Sequence, residues 1–143
     1  MEILSTRHIF EEVVQAPEKD VVEIGESDKT PKIYLNQHTG MIKFAGRAIP
    51  ENAKTFFEPL IQWIQQYVES PRDKTLLYFD FEYFNSSSSK LLMEILNLSK
   101  QILDKGKELI VEWNYLEEDE EMLDAGETFE ELTGLNFNYV AYD

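Results

Sequence analysis

Residues 85–90 read NSSSSK, four consecutive hydroxyls followed by a lysine, the densest group of candidate nucleophiles in the chain. Ser87 and Lys90 stand at the S-x-x-K spacing of serine acyl-enzymes. On a helix one turn separates those positions, so the amine would lie beside the hydroxyl whose proton it has to take. The spacing arises easily inside any serine run, however, and neither an S-D-N nor a K-T-G companion is present. A hydrolase built on Ser87 and Lys90 is therefore the weakest of the functional readings. The two histidines, His8 and His38, have no metal-ligand partner at useful spacing. The acidic run Glu117–Glu121 lacks the glycine at position 6 and the glutamate at position 12 that a calcium loop requires. Its carboxylates fit the positive end of a helix dipole, or alternatively a docking face for a basic partner. No metal and no cofactor is expected.

The serine run sits between a strand and a helix, and its role depends on both. TLLYFDFEYF alternates, with Leu77, Phe79, Phe81 and Tyr83 on one side and Tyr78, Asp80 and Glu82 on the other. After the serines, Leu91, Leu92, Ile95, Leu96, Ser99, Ile102 and Leu103 form a helical stripe opposite Lys90, Glu94, Asn97, Gln101 and Asp104, and Gly106 ends the helix. Asn85 or one serine would cap that helix by accepting a hydrogen bond from a free backbone amide, which leaves three hydroxyls unexplained. A phosphorylation site is the functional alternative. A phosphate at a helix start meets unpaired amides and the positive end of the dipole. It adds about −1.5 to −2 charges. Residue pattern alone leaves both readings open.

Elsewhere, KIYLN and MIKFAG flank Gln37–Gly40 as a hairpin. AIPENAKTFFEPLIQWIQQYVES follows as a helix, with Pro50 and Glu51 in its first turn and a kink or break expected near Phe56 because of Pro59. ELIVEWNY is a second alternating strand, and its short joints to the helix before it imply parallel pairing with the first. From Leu116 to Leu132 the chain is acidic, with Gly126 expected to interrupt any helix; FNYVAY closes as a strand. Residues 1–30 are mixed and polar and are read as a partly ordered N-terminal arm, with a short strand at Val21–Ile24, preceding a single domain over 31–143. The expected order is ββαβαβαβ, an α/β domain with a small mixed sheet of about four or five strands packed against about three helices.

A chain of 143 residues with 43% hydrophobic residues can bury one core. The net charge of −15 disfavours nucleic acid and anionic membrane as partners and fits a basic protein partner or simple solubility. The absence of cysteine removes disulfides and thiolate chemistry and fits the cytoplasm. MEILSTRHIFEEVV lacks the apolar stretch of a signal peptide, and no segment reaches the roughly 18 apolar residues of a membrane span. Without secretion, the glycosylation sequons Asn85-Ser86-Ser87 and Asn97-Leu98-Ser99 are incidental.

Four separated segments, TPKIYL, GRAIPENAKTFFEPLIQWI, FDFEYFNSSSSKLLMEIL and VEWNYLEEDEEMLDAGETFEEL, resemble in order the SiaC family of bacterial regulatory phosphoproteins, from about Thr30 to the C-terminus. The resemblance implies a fold similar to STAS domains and anti-sigma-factor antagonists. It implies a non-enzymatic partner switch: a cognate kinase adds a phosphate, a metal-dependent protein phosphatase removes it, and one form engages the target. In the best-known branch the unphosphorylated form binds and activates a diguanylate cyclase in c-di-GMP signalling and biofilm regulation. The family's phosphoacceptor, usually threonine, directly follows the Asn of a YFN-type motif, which falls on Ser86, with Ser87 the runner-up because three more serines follow. The expected partner-binding surface comprises Asn85, Ser86, Ser87, Ser88, Lys90, Glu94 and Asn97. A constitutive adaptor in which the serines only cap the helix is the alternative.

Overall fold

The computed structural model describes residues 6–143. In chain order the elements are α1 (Thr6–Val14), a 3-10 turn (Ala16–Glu18), β1 (Val21–Ile24), β2 (Lys32–Asn36), β3 (Met41–Ala48), α2 (Ala53–Tyr67), β4 (Lys74–Phe84), α3 (Ser86–Asp104), β5 (Glu108–Leu116), α4 (Glu120–Thr133) and β6 (Phe137–Tyr142). The strands lie side by side in the order β1-β2-β3-β4-β5-β6. β1, β2 and β3 pair antiparallel, and β3 through β6 pair parallel. Each parallel link carries one helix, as parallel neighbours require.

The expected order is present from β2 onward. Among the described residues the sheet nevertheless has six strands rather than four or five, and four α-helices rather than three. The extra helix is α1; the sixth strand is β1, which stands at the Val21–Ile24 expected for a short strand but pairs with β2 as part of the sheet. α1 places Ile9 and Val13 one turn apart in the core, and β1 turns Val22 and Ile24 inward beside Ile33 and Leu35. In α1 the apolar Ile9, Phe10, Val13 and Val14 stand among charged residues in a helix of nine residues, too short for a strong periodic signal. Residues 1–5 of the expected arm lie outside the described residues.

Of the kink or break expected near Phe56, the break is absent: α2 runs through Pro59 as one helix. Proline removes the amide that would bond the Thr55 carbonyl, but Thr55 lies on the exposed side, where water can substitute. Phe56, Phe57, Leu60, Ile61 and Ile64 hold the helix down by burial. The helix starts later than expected: Asn52 caps it, accepting from the Thr55 amide at 3.0 Å, so Pro50 and Glu51 precede it.

Gly126 does not interrupt α4 either. It is buried inside the helix, and a Cβ there would stand 2.6 Å from Trp113 Nε1 and 2.7 Å from Trp113 Cδ1. The missing side chain lets α4 lie against the indole, whose N–H donates to the Met122 carbonyl at 2.9 Å. Gly126→Ala is accordingly expected to destabilise. Overpacking costs about 1–3 kcal/mol, only partly offset by the ~1 kcal/mol that alanine gains over glycine inside a helix. Thermal unfolding should show a lower midpoint; a raised one would mean the indole moves freely.

In β4 the alternation fails at its end. The register with β3 shifts between Gly46 and Arg47, so that Gly46 pairs with Phe81 and Arg47 with Tyr83. A bulge of this kind changes which face the following residues occupy. Tyr83 therefore points outward, 56% exposed rather than in the core, while Phe84 turns inward.

The inward side chains of the sheet and the buried residues of all four helices form one cluster. Trp113 is its hub, with ring centroids 5.6–6.3 Å from Phe79, Phe81, Phe84, Phe129 and Phe137. The opposite face of the sheet contributes nothing to that cluster and, among the described residues, carries no helix. At its edge the Tyr142 hydroxyl donates to Asp80 Oδ1 at 2.6 Å, and partial burial followed by that hydrogen bond raises the phenol to about 12. Among the described residues no helix is long and apolar enough to cross a membrane.

Candidate functional site

The helix start after β4 resolves the four serines into different environments. Asn85 is extended (φ −90°, ψ 174°), and its side chain accepts from the Ser88 amide at 2.9 Å. Its backbone amide donates to the Ala48 carbonyl at 3.3 Å, anchoring the turn to the end of β3. The cap is thus Asn85, and none of the serines is needed for it. Ser86 and Ser87, in the first turn of α3, are exposed, and their amides have no earlier carbonyl within the helix to bond. Ser89 is half-buried, its amide donating to the Asn85 carbonyl at 2.9 Å. Ser88 is fully buried, and its Oγ has no hydrogen-bond partner among the described residues. It departs from the expected surface set, because position 88 falls on the same helix face as Leu92 and Ile95, which turns into the core.

Asn85→Ala is expected to cost about 1 kcal/mol through loss of the cap. Ser86→Ala should stay within about 0.5 kcal/mol, as an exposed residue without a structural contact does. Equilibrium urea unfolding distinguishes the two, and the opposite ranking would move the cap to the serine.

Ser87 opens onto a groove of about 610 Å³ between α2 and α3. Lys90, Leu91 and Glu94 line one wall, and Lys54, Glu58 and Gln62 of α2 the other. Along α3 a shallower depression of about 410 Å³ joins Lys90, Glu94 and Asn97 to Met93, Leu98 and Gln101. The fold therefore brings Ser87, Lys90, Glu94 and Asn97 onto one continuous surface, with Ser86 exposed one residue before it and Asn85 half-buried. The α2 wall carried no mark of function in the sequence. Lys54, Glu58 and Gln62 read there as an ordinary polar helix face, and their one legible signal was the four-residue spacing that puts them on the same side of α2.

The other candidates resolve simply. Asp119 caps α4 by accepting from the Met122 amide at 3.0 Å, with Glu120 and Glu121 in the first turn, where the helix dipole favours carboxylates. His8 lies 3.3 Å from the half-buried Glu12, and His38 lies 3.6 Å from Asp20 with both side chains exposed. Among the described residues no three His, Asp or Glu side chains gather as a metal site. Ser87 and Lys90 do share the groove, but Lys90 is exposed, whereas a lysine that accepts a serine proton must be desolvated.

A two-layer α/β domain offering hydroxyls and a polar helix face has the features of a regulatory binding protein. The chain belongs to the SiaC family: the model of the SiaC family regulatory phosphoprotein matches residues 24–142. That membership makes it a regulator rather than an enzyme. The match leaves out residues 1–23, and with them α1 and most of β1. Over 122 residues the chain is 26% identical to an uncharacterized protein of Pseudomonas aeruginosa, covering 85% of this chain and 97% of the relative. The solved structure of SiaC from Pseudomonas aeruginosa is similar at a TM-score of 0.74 and 25% identity, covering 87% of this chain and 100% of that one. A chain in the crystal structure of the diguanylate cyclase SiaD with its activator SiaC, from the same organism, is similar at a TM-score of 0.77 and 26% identity, covering 84% of this chain and 98% of that one.

Proposed function

We propose that this protein is a cytoplasmic partner switch controlled by phosphorylation at Ser86. The observation that carries the reading is the division within the serine run. Ser86 is exposed at the first turn of α3 and free of any capping duty, beside a groove and a polar helix stripe that a partner can cover. Ser87 has the same exposure and is the second acceptor, whereas Ser88 lies in the core. The docking surface in this reading is Ser86, Ser87, Lys90, Glu94 and Asn97, with Asn85 holding the turn. The target class is a diguanylate cyclase, by similarity to the SiaC that activates SiaD. A protein kinase and a metal-dependent protein phosphatase set the phosphorylation state.

The physics is local. The groove already holds Glu51, Glu58 and Glu94. A phosphate on Ser86, next to the groove-lining Ser87, adds about −1.5 to −2 charges, stabilised in the free protein by the helix dipole and the first-turn amides. A partner that covers the site must desolvate that charge, so the modified form is released. Intact-mass measurement on protein from its own host tests the reading: a single phosphate that disappears in Ser86→Ala supports it. A phosphate that persists in Ser86→Ala and vanishes in Ser87→Ala moves the switch by one residue, and no phosphate in any growth state removes it.

A further inference from the structure

The helix-free face of the sheet is divided by charge. Lys32, Lys43 and Arg47 project from β2 and β3, and Asp80, Glu82 and Glu112 from β4 and β5. With the peripheral Glu23, Lys74 and Glu108 counted, β1–β3 carry a net +2 and β4–β6 a net −3. The face is thus close to neutral on a chain whose total is −15. Between the charges stand Tyr34, Met41, Leu76, Tyr78, Ile110 and Tyr142, all half-buried or exposed and none in the core cluster. The side chains are already ordered among themselves. Lys43 Nζ sits 4.9 Å from the Tyr78 ring centroid, Arg47 donates to Glu82 at 3.0 Å, and Tyr142 ties β6 to Asp80.

We propose that this face binds a second copy of the chain. An isologous interface uses one patch twice, so the patch must complement itself. A twofold axis parallel to the strands and lying over the β3–β4 boundary sets the basic half of one copy on the acidic half of the other. It stacks Lys43 over the partner copy's β4 and β2 over its β5. An axis perpendicular to the strands would set like charge on like charge. Strands spaced ~4.8 Å apart, with outward runs ~20 Å long, give the six-stranded face about 600 Å² in plan. That matches in scale the roughly 800 Å² of accessible surface each side gives to a stable interface. The rest of the chain's −15 lies off this face, and salt screens charges beyond about 8 Å. The α2–α3 groove faces the other way, so pairing leaves it open.

Analytical ultracentrifugation over a concentration series reaching the millimolar range is expected to show twice the chain mass. Lys32→Glu/Lys43→Glu/Arg47→Glu makes both halves acidic, and Asp80→Lys/Glu82→Lys/Glu112→Lys makes both basic. Each alone should self-associate about 100-fold more weakly or worse, since like-charge contacts at an interface cost several kcal/mol. Mixed in equal amounts, the two should form a heterodimer. Circular dichroism checks that they fold; should either triple variant not fold, Tyr78→Arg, a single change beside the proposed axis, must weaken the dimer in its place. A wild-type chain that stays monomeric overturns the proposal, and so does a dimer indifferent to these changes. If the wild type is monomeric and the same variants lose a cyclase partner, the face belongs to that partner instead.

Discussion

Trp113→Ala is expected to cost roughly 3–5 kcal/mol, the usual range for removing a large buried aromatic. Trp113 is 1% exposed and packs five aromatic rings around one indole. Its N–H also fixes the Met122 carbonyl of α4. Removing it opens a cavity walled by rigid rings on β4, α4 and β6, which cannot all collapse into the space. Native domains hold only about 5–15 kcal/mol in total, so much of the stability would go with one side chain. Trp113→Phe keeps most of the ring contacts but loses the indole hydrogen bond to the Met122 carbonyl, which keeps its partner within α4, and should cost about 0.5–1.5 kcal/mol through that bond. Urea unfolding of the three proteins gives the ranking. An alanine variant within 1.5 kcal/mol of wild type would show that α4 is held from elsewhere, for instance through Glu130, which accepts from the Phe137 amide at 2.7 Å and the Tyr139 hydroxyl at 2.8 Å.

Phosphorylation of Ser86 is expected to weaken partner binding by about 100-fold or more, equivalent to ~2.7 kcal/mol, while leaving the fold intact. The two halves of that statement have separate causes. In the free protein the phosphate sits in water at the start of a 19-residue helix, where the dipole favours it. In the complex the same group must either be buried or hold the surfaces apart, and an uncompensated buried charge costs several kcal/mol. Ser86→Ala should bind like the unmodified protein, because the hydroxyl has no capping role to lose. Ser86→Asp carries one charge rather than nearly two, so its loss should be smaller than that caused by phosphate. Calorimetric titration of a diguanylate cyclase partner against the unmodified, phosphorylated and substituted proteins checks this order. Equal affinity of Ser86→Ala and Ser86→Asp for every partner would leave a constitutive adaptor.

Much of this architecture was legible along the chain. The alternation from Leu77 to Phe81 and the stripe from Leu92 to Ile102 each reflect a local period, two for a strand and 3.6 for a helix, and both elements stand where the spacing predicts. The hairpin around Gly40 was equally readable: its φ of +78° is one that glycine adopts freely, and a Cβ there would stand 2.4 Å from the Lys74 carbonyl oxygen. The failures share a different origin. Pro59 and Gly126 look like breaks because a local rule says so, yet each is overruled by a partner far away in sequence or by buried apolar area. Gly126 is the clearer case, since the residue that makes it useful, Trp113, is on another element.

The serine run divides along the same line. By itself the sequence determined that a helix begins at the serines, that one cap suffices for four hydroxyls, and which segments resemble the SiaC family. Those are properties of spacing and residue type, and they survive in any context that lets the helix form. Only the tertiary structure decided that Asn85 is the cap, that Ser88 faces the core while Ser86 and Ser87 face solvent, and that α2 supplies a second wall beside them. Exposure of a side chain depends on what lies opposite it, and what lies opposite α3 is set by long-range packing of α2 and β4.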